Sequence, residues 1–138
     1  MLFKRPPNFE VIPEVFAKYP SVRAVYLFGS YAGGHPRFDS DVDLAIVPCD
    51  ATAREQHLEI MADLIRKVYD RIDLVFLDTK DVVLRFEAVR LNRLVYKVSN
   101  FDSGVYTSRI AREYWDFLPY LAVQRRAFKQ RILGHGAD

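Results

Sequence analysis

The sequence has little of what marks several classes of protein. It contains one cysteine, Cys49, so it has no disulfide framework, and a reducing compartment such as the cytoplasm is expected. No stretch approaches the roughly 20 apolar residues of a membrane span, and residues 1–7 are too short and too rich in proline for a signal peptide. The net charge is only +2, so direct nucleic-acid binding is not expected either.

A glycine–lysine–serine/threonine sequence is also absent, which excludes a Walker-type phosphate loop. The chain has 138 residues, of which 50% are hydrophobic, enough for a core without disulfides. No linker or repeat divides it. We therefore expect a single domain over 1–138, with a core at about 9–100 and a C-terminal helical segment at about 104–133.

The most informative part of the chain runs from Gly29 to Asp43. Residues 22–28 and 44–47 are apolar and rich in β-branched or aromatic side chains, so each run predicts a buried strand. Gly29 and Ser30 then fall where the first strand ends, and ten residues separate Ser30 from Asp41 near the start of the second. This arrangement is what metal-dependent phosphoryl or nucleotidyl transfer needs.

Three carboxylates are candidate metal ligands. Side chains alternate along a strand, so Asp41 and Asp43 should point to the same face. Asp73 interrupts another apolar run, 71–77, in a matching context. Aspartates also cluster at turns as solvated acids, but three on adjacent strands favour a site for Mg²⁺ or Mn²⁺, which take oxygen ligands. Such a cluster could hold two ions.

Gly29 and Ser30 are candidate nucleotide-binding residues. Glycine lacks a Cβ atom and lets the backbone approach a ligand closely. The hydroxyl of Ser30 and the backbone N–H groups near Gly29 can donate to phosphate oxygens. We therefore expect this turn to bind a triphosphate.

The remaining elements follow from apolar spacing and turn residues. Thr79 is the expected N-cap of a helix that ends near Asn92, Pro119 is expected to kink or interrupt the C-terminal helix, and Cys49 is interpreted as a small buried side chain. The fold class is α+β (α/β), a small mixed sheet flanked by helices with a further helix at the C-terminus. The other predicted elements are helices over 9–18 and 53–69 and an edge strand over 96–98.

The C-terminal segment combines aromatic and basic side chains. Its basic run, 125–131, is interpreted as a solvated helix end rather than an RNA contact, while contact with a partner protein is left open. Most of the aromatic residues between 106 and 120 are expected in the core, with some exposed at an interface. One helical stripe comprises Ile110, Tyr114, Phe117, Leu121 and Phe128.

The sequence Gly29-Ser30, ten residues, then Asp41-x-Asp43 resembles the signature of the polymerase-β-like nucleotidyltransferase superfamily. Asp73, on a later apolar strand, looks like that family's third carboxylate. Within the superfamily the chain is similar to the minimal nucleotidyltransferases (MNT), specifically the MntA-type antitoxins paired with HEPN toxins. The resemblance covers roughly residues 9–120.

The resemblance implies a nucleotidyltransferase fold and a Mg²⁺-dependent enzyme, with two ions. Such an antitoxin would transfer AMP from ATP to a tyrosine of a HEPN ribonuclease toxin and so neutralise it. Asp41, Asp43 and Asp73 would be its catalytic and metal-binding residues. Gly29 and Ser30 would bind the β- and γ-phosphates of the nucleotide.

One position departs from the family pattern. Many relatives carry an arginine in text resembling Gly-Ser-x-Ala-Arg-Gly, and here that residue is Gly33. Arg37 and His35 are the residues of the same loop that could replace its charge. Two other functions stay open: a non-catalytic antitoxin that acts by occlusion, and a small-molecule nucleotidyltransferase of the aminoglycoside type. The latter usually needs an additional helical domain, for which about 40 residues beyond Asn100 leave little material.

Overall fold

The computed structural model describes residues 5–137, with side chains described for 5–133. The expectation about a signal peptide concerns residues 1–7, of which 1–4 lie outside this range. The strands are β1 (Val22–Phe28), β2 (Val42–Pro48), β3 (Ile72–Phe76) and β4 (Leu94–Lys97). The helices are α1 (Ile12–Phe16), which follows a 3-10 turn at Phe9–Val11, then α2 (Gly29–Ala32), α3 (Thr52–Glu55), α4 (His57–Lys67), α5 (Val82–Val89) and α6 (Ser103–Ala137).

The four strands form one mixed sheet in the order β3-β2-β1-β4. Strand β1 pairs antiparallel with β2 and with β4, whereas β2 and β3 run parallel. The parallel pair needs a crossover, which α3 and α4 supply. The predicted fold class, a small mixed sheet flanked by helices with a C-terminal helix, is confirmed.

Two apolar clusters cover the two faces of the sheet. On one face α1 and α4 pack through fully buried side chains such as Phe16 and Leu64. On the other face α5 and the start of α6 pack through Val89 and Ile110. The central strands are buried on both sides, which explains why their sequences are continuous apolar runs rather than alternating ones.

The cap of α5 differs from the prediction. Asp81, not Thr79, is the N-cap, and its carboxylate accepts a hydrogen bond from the backbone N–H of Leu84 at 3.0 Å. Thr79 lies two residues earlier and its hydroxyl accepts from the N–H of Asp81 at 3.2 Å. Both residues are good cap formers, and α5 begins later and ends earlier than predicted, at Val82 and Val89.

The predicted interruption of the C-terminal helix at Pro119 and the predicted burial of Cys49 were wrong. Helix α6 continues from Ser103 to Ala137 without interruption at Pro119, because the one backbone bond that Pro119 cannot donate is a small part of those made by a helix of 35 residues. Cys49 is exposed rather than buried, since it lies just past the end of β2. No helix within residues 5–137 has the length and apolar character to cross a membrane.

Candidate active site

Asp43 and Asp73 lie side by side near the N-terminal ends of two parallel strands, β2 and β3. The register of β2 and β3 pairs Val42 with Ile72 and Asp43 with Asp73. Side chains at paired positions emerge on the same face of a sheet. On its other side Asp43 pairs with Phe28, the residue just before Gly29. The sheet therefore gathers Asp43, Asp73 and the turn at Gly29, as the sequence predicts.

The pKa of Asp43 is raised to about 6, from the ordinary 3.8. Partial burial is the main cause, followed by the negative charges of Asp73 and Asp41. Each cause disfavours the carboxylate form. A cation bound among the three carboxylates would lower the pKa of Asp43 again, because its charge opposes theirs. The site is therefore suited to positive charge.

Gly29 is required by a close approach to Asp43. A Cβ atom built at Gly29 would lie 2.0 Å from Oδ2 of Asp43, far inside van der Waals contact. The residue also has φ +73°, in the left-handed region that disfavours side chains. Any other residue at this position would displace the carboxylate or distort the turn.

Ser30 belongs to the single helical turn α2, which joins β1 to the loop 33–41. The turn is closed by a bond from the N–H of Gly33 to the carbonyl of Gly29, at 3.1 Å. The N–H of His35 donates to the carbonyl of Ser30 at 3.0 Å. These bonds hold Ser30 and its half-buried side chain next to the Gly29 backbone that touches Asp43.

Tyr31 fixes the other side of this turn. Its ring makes edge contacts with Phe9 and with Tyr69, with ring centroids 5.8 and 6.2 Å apart. Burial raises the pKa of the Tyr31 hydroxyl to about 12, and Tyr69 adds to the shift. The turn that carries Ser30 is therefore clamped to the rest of the fold through an aromatic side chain.

Asp41 is placed differently from the other two acids. It precedes β2, it is half-exposed, and its Oδ1 accepts from Nε of Arg71 at 2.9 Å. The register explains the pair, because Val42 lies opposite Ile72 and the preceding residues are therefore neighbours. Sequence reasoning missed Arg71 as a site residue. Arg71 lies two residues before Asp73, just as Asp41 lies two residues before Asp43. This shared spacing is the sequence signal that could have identified Arg71.

The donor atoms nevertheless suit a hard divalent cation. In the part of the chain with described side chains, no three acidic, histidine or cysteine residues stand arranged to hold a metal ion. Asp41 faces the guanidinium of Arg71. Asp43 and Asp73 offer only carboxylate oxygens, and the charges near Asp43 that raise its pKa are negative. Oxygen-only donors are those preferred by Mg²⁺. The oxygen donors of Asp43 and Asp73 therefore fit the ion that the sequence predicts.

The loop after α2 is held by its own contacts and by Arg93. The hydroxyl of Ser40 accepts from the N–H of Arg37 at 2.7 Å, and both His35 and Arg37 are exposed. Nη1 of Arg93, which sequence reasoning did not select, donates to the carbonyl of Ala32 at 3.2 Å. Arg93 thus brings a guanidinium to the residue beside Gly33, where many relatives are expected to carry their own arginine.

Comparison with protein families agrees with this geometry. A family model described as polymerase beta, nucleotidyltransferase, matches residues 10–101, about two thirds of the chain. The matched segment includes the four strands and every predicted site residue.

One curated relative is the protein adenylyltransferase MntA of Shewanella oneidensis. It is 28% identical over 83 residues, which make up 60% of this chain. The match spans 60% of that relative's own length.

Solved structures share the fold across most of the chain. A crystal structure of a toxin–antitoxin with AMP-PNP contains a chain with a TM-score of 0.64 and 23% identity, covering 91% of this chain and 98% of that one. A rebuilt structure of the tri-AMPylated Shewanella oneidensis HEPN toxin in complex with MNT antitoxin contains another, with a TM-score of 0.62 and 20% identity. That match covers 91% of this chain and 95% of the other. At these identities the likeness concerns the fold.

Proposed function

The chain belongs to the polymerase beta nucleotidyltransferase family, and from this premise we propose that it is an antitoxin that transfers AMP from ATP to a tyrosine of a HEPN-type toxin. The observation that carries the proposal is the pairing of Asp43 with Asp73 beside the turn at Gly29. The choice of AMP and of a protein acceptor is supported by the relative called a protein adenylyltransferase. The toxin as acceptor is supported by the AMPylated HEPN toxin found with an MNT antitoxin.

The turn of α2 would bind the triphosphate. The first N–H groups of a helical turn have no partner within the helix and can donate to phosphate oxygens. The hydroxyl of Ser30 would add another donor. Because Gly29 has no side chain, these donors lie next to Asp43.

Asp43 and Asp73, with Asp41 as a third ligand, would hold Mg²⁺. When bound there, Mg²⁺ supplies charge neutralisation for the phosphates and for the crowded carboxylates. The three carboxylates would hold the counter-ions of the nucleotide, and Nε of Arg71 donates to Oδ1 of Asp41. The raised pKa of Asp43 shows that its carboxylate form is destabilised by burial and by the two other acids. The fold therefore holds the three carboxylates close together before any cation binds.

The transfer would proceed by in-line displacement. The tyrosine oxygen attacks the α-phosphorus, the bond between that phosphorus and the bridging oxygen to the β-phosphate breaks, and pyrophosphate leaves with the electron pair. The hydroxyl proton passes to the carboxylate of Asp73. That residue is exposed on the edge strand β3 and can be reached from solvent by a protein acceptor. Positioning and charge neutralisation would lower most of the barrier.

Intact mass of a HEPN-type toxin, measured after incubation with this chain, ATP and Mg²⁺, tests the proposal. We expect a gain of one or more AMP units that is lost with Asp43→Asn and with Asp73→Asn. Asp39→Asn is the matched control, because Asp39 is an exposed acid of the same loop outside the strand pair. Full transfer by the Asp43→Asn variant would disprove the mechanism.

The alternative is an antitoxin that acts by occlusion. The ion pair between Asp41 and Arg71 favours it, because a carboxylate that is paired with a guanidinium is not free to bind a metal ion. It predicts a stable complex that silences the toxin without a change in mass, and full protection of cells by the Asp43→Asn variant. Transfer to an aminoglycoside, with no change in the toxin, would instead identify a small-molecule enzyme.

A further inference from the structure

Helix α6 carries one apolar stripe that begins inside the fold. Ile110 is buried against the sheet. One turn later, Tyr114 stacks on Phe86 of α5, with ring centroids 4.0 Å apart and an angle of 3° between the planes. These two contacts fix which face of α6 lies against the rest of the protein.

The same stripe continues beyond the fold. At 100° per residue, Phe117, Leu121, Phe128 and Ile132 lie within about 60° of one another on the face that Ile110 and Tyr114 define. Phe117 and Leu121 are half-buried, but every residue from 122 to 133 is exposed. Phe128 and Ile132 leave 57% and 53% of their surface in solvent. We call this part of α6, residues 117–133, the outer segment.

The outer segment is also strongly basic. It contains Arg125, Arg126, Lys129 and Arg131, and no acidic residue occurs between 117 and 137. Cations favour the last turn of a helix because of the helix dipole, an effect that fades within one turn. Arg125 and Arg126 lie about three turns before the helix ends at Ala137, so the dipole does not account for them.

An uncovered helix of this length is poorly stable in water. Helices of roughly 15 residues or fewer form only marginally without tertiary contacts, and Pro119 removes a further backbone bond. Exposed apolar stripes with polar rims usually mark interaction surfaces. A partner that covers Phe128 and Ile132 would stabilise the helix as well as bury its stripe.

The charges select the kind of partner. A second copy of this chain would bring like charges together along the stripe, which opposes pairing. We propose that the outer segment is a docking helix for a partner protein that presents an apolar helical stripe flanked by acidic residues. This inference rests on the proposed function, because a protein acceptor has to be held while its hydroxyl reaches Asp73.

Two peptides test the docking without ATP or metal. Both are amphipathic helices of roughly 20 residues with leucine stripes, one flanked by glutamate and the other by lysine. Titrated into the fluorescently labelled full-length chain, the acidic peptide should bind at least about tenfold more tightly than the basic one. Its advantage should shrink as salt is raised to about 1 M, where surface charges are screened.

A pair of double variants locates the surface. Phe128→Ser with Ile132→Ser should weaken binding of the acidic peptide about tenfold or more, since two central apolar contacts are lost. Val123→Ser with Leu133→Ser is the matched control. Those residues are 56% and 71% exposed on the same helix but lie about 140° from the stripe, so binding should change less than about twofold. Circular dichroism confirms that both variants keep their helix content.

Several outcomes would overturn the inference: no binding of the acidic peptide, equal binding of both peptides, or equal loss in the two double variants. A dimer in solution that the Phe128 and Ile132 changes dissociate would show instead that a second copy covers the stripe. Failure of the peptides while AMP transfer to the toxin persists would refute the docking alone. Binding of the peptides without any transfer would refute the proposed function alone.

Discussion

Replacing Asp43 with asparagine should make the metal-free protein more stable at neutral pH. In the folded chain the carboxylate of Asp43 is half-buried and faces the charges of Asp73 and Asp41. Asparagine has almost the same shape, so the close contact with Gly29 is kept while the charge is removed. The variant thus separates the electrostatic cost of the site from its packing.

The magnitude follows from the raised pKa of Asp43, about 6 in the folded protein against 3.8 as the ordinary value. At about 1.4 kcal/mol per pH unit the shift corresponds to at most about 3 kcal/mol. Solvent screening of a half-exposed group reduces this, and we expect about 1–2 kcal/mol. Between pH 3.8 and about 6 the folded state binds more protons than the unfolded state, so wild-type stability falls as pH rises through that window.

Urea unfolding of both proteins in EDTA, from pH 4 to 8, measures the effect. The gain in free energy of unfolding should be near zero at pH 4 and complete at pH 7.5. Asp73→Asn should show a smaller gain, and Asp41→Asn almost none, because it also loses the pair with Arg71. An Asp43→Asn variant that is no more stable than wild type at pH 7.5, or whose gain does not depend on pH, would refute the reasoning.

Three further predictions concern positions around the site and the core. Gly29→Ala should lower the free energy of unfolding by about 2 kcal/mol or more and abolish AMP transfer, because its Cβ would strike Asp43. Gly34→Ala, with φ +79° but no described atom within 4 Å of its Cβ, should cost only about 1 kcal/mol; equal costs in urea unfolding would contradict this account. Arg93→Ala, which removes the bond to the carbonyl of Ala32, should raise the KM for ATP several-fold with a smaller effect on kcat, and an unchanged KM would show that Arg93 only supports the fold. Phe86→Ala should lower the free energy of unfolding by about 3 kcal/mol, because the ring of Phe86 on α5 stacks on Tyr114 of α6. A decrease below about 1 kcal/mol, measured by calorimetry, would show that other contacts hold α6 against the fold.

Secondary structure near the site could be predicted closely because its signals are local. The first strand, 22–28, is confirmed at the predicted residues, and the run 71–77 contains β3. The edge strand predicted at 96–98 is present as β4, shifted to Leu94–Lys97. The helix predicted over 53–69 is divided into α3 and α4 by Gln56, whose backbone leaves the helical region, and no proline or glycine in the sequence marks that break.

The acids illustrate what local patterns leave open. Alternation along a strand predicts that Asp41 and Asp43 share a face, but it does not say which residue lies beside each of them. The parallel register places Asp73 next to Asp43 and Arg71 next to Asp41. A slip of one residue would place Ile72 or Leu74 opposite Asp43 and would turn the side chains of the shifted strand to the other face.

The sequence by itself determined the candidate site residues, the strand–turn–strand arrangement around Gly29 and Ser30, and the mixed class of the fold, because each depends on residue type and spacing along a short stretch. Only the tertiary structure decided that Asp43 carries the raised pKa, that Asp41 is paired with Arg71, and that Arg93 supports the turn. It also decided that the apolar stripe of α6 is covered at Tyr114 and exposed at Phe128. Burial and charge–charge distance arise between distant parts of a chain, and no local pattern encodes them.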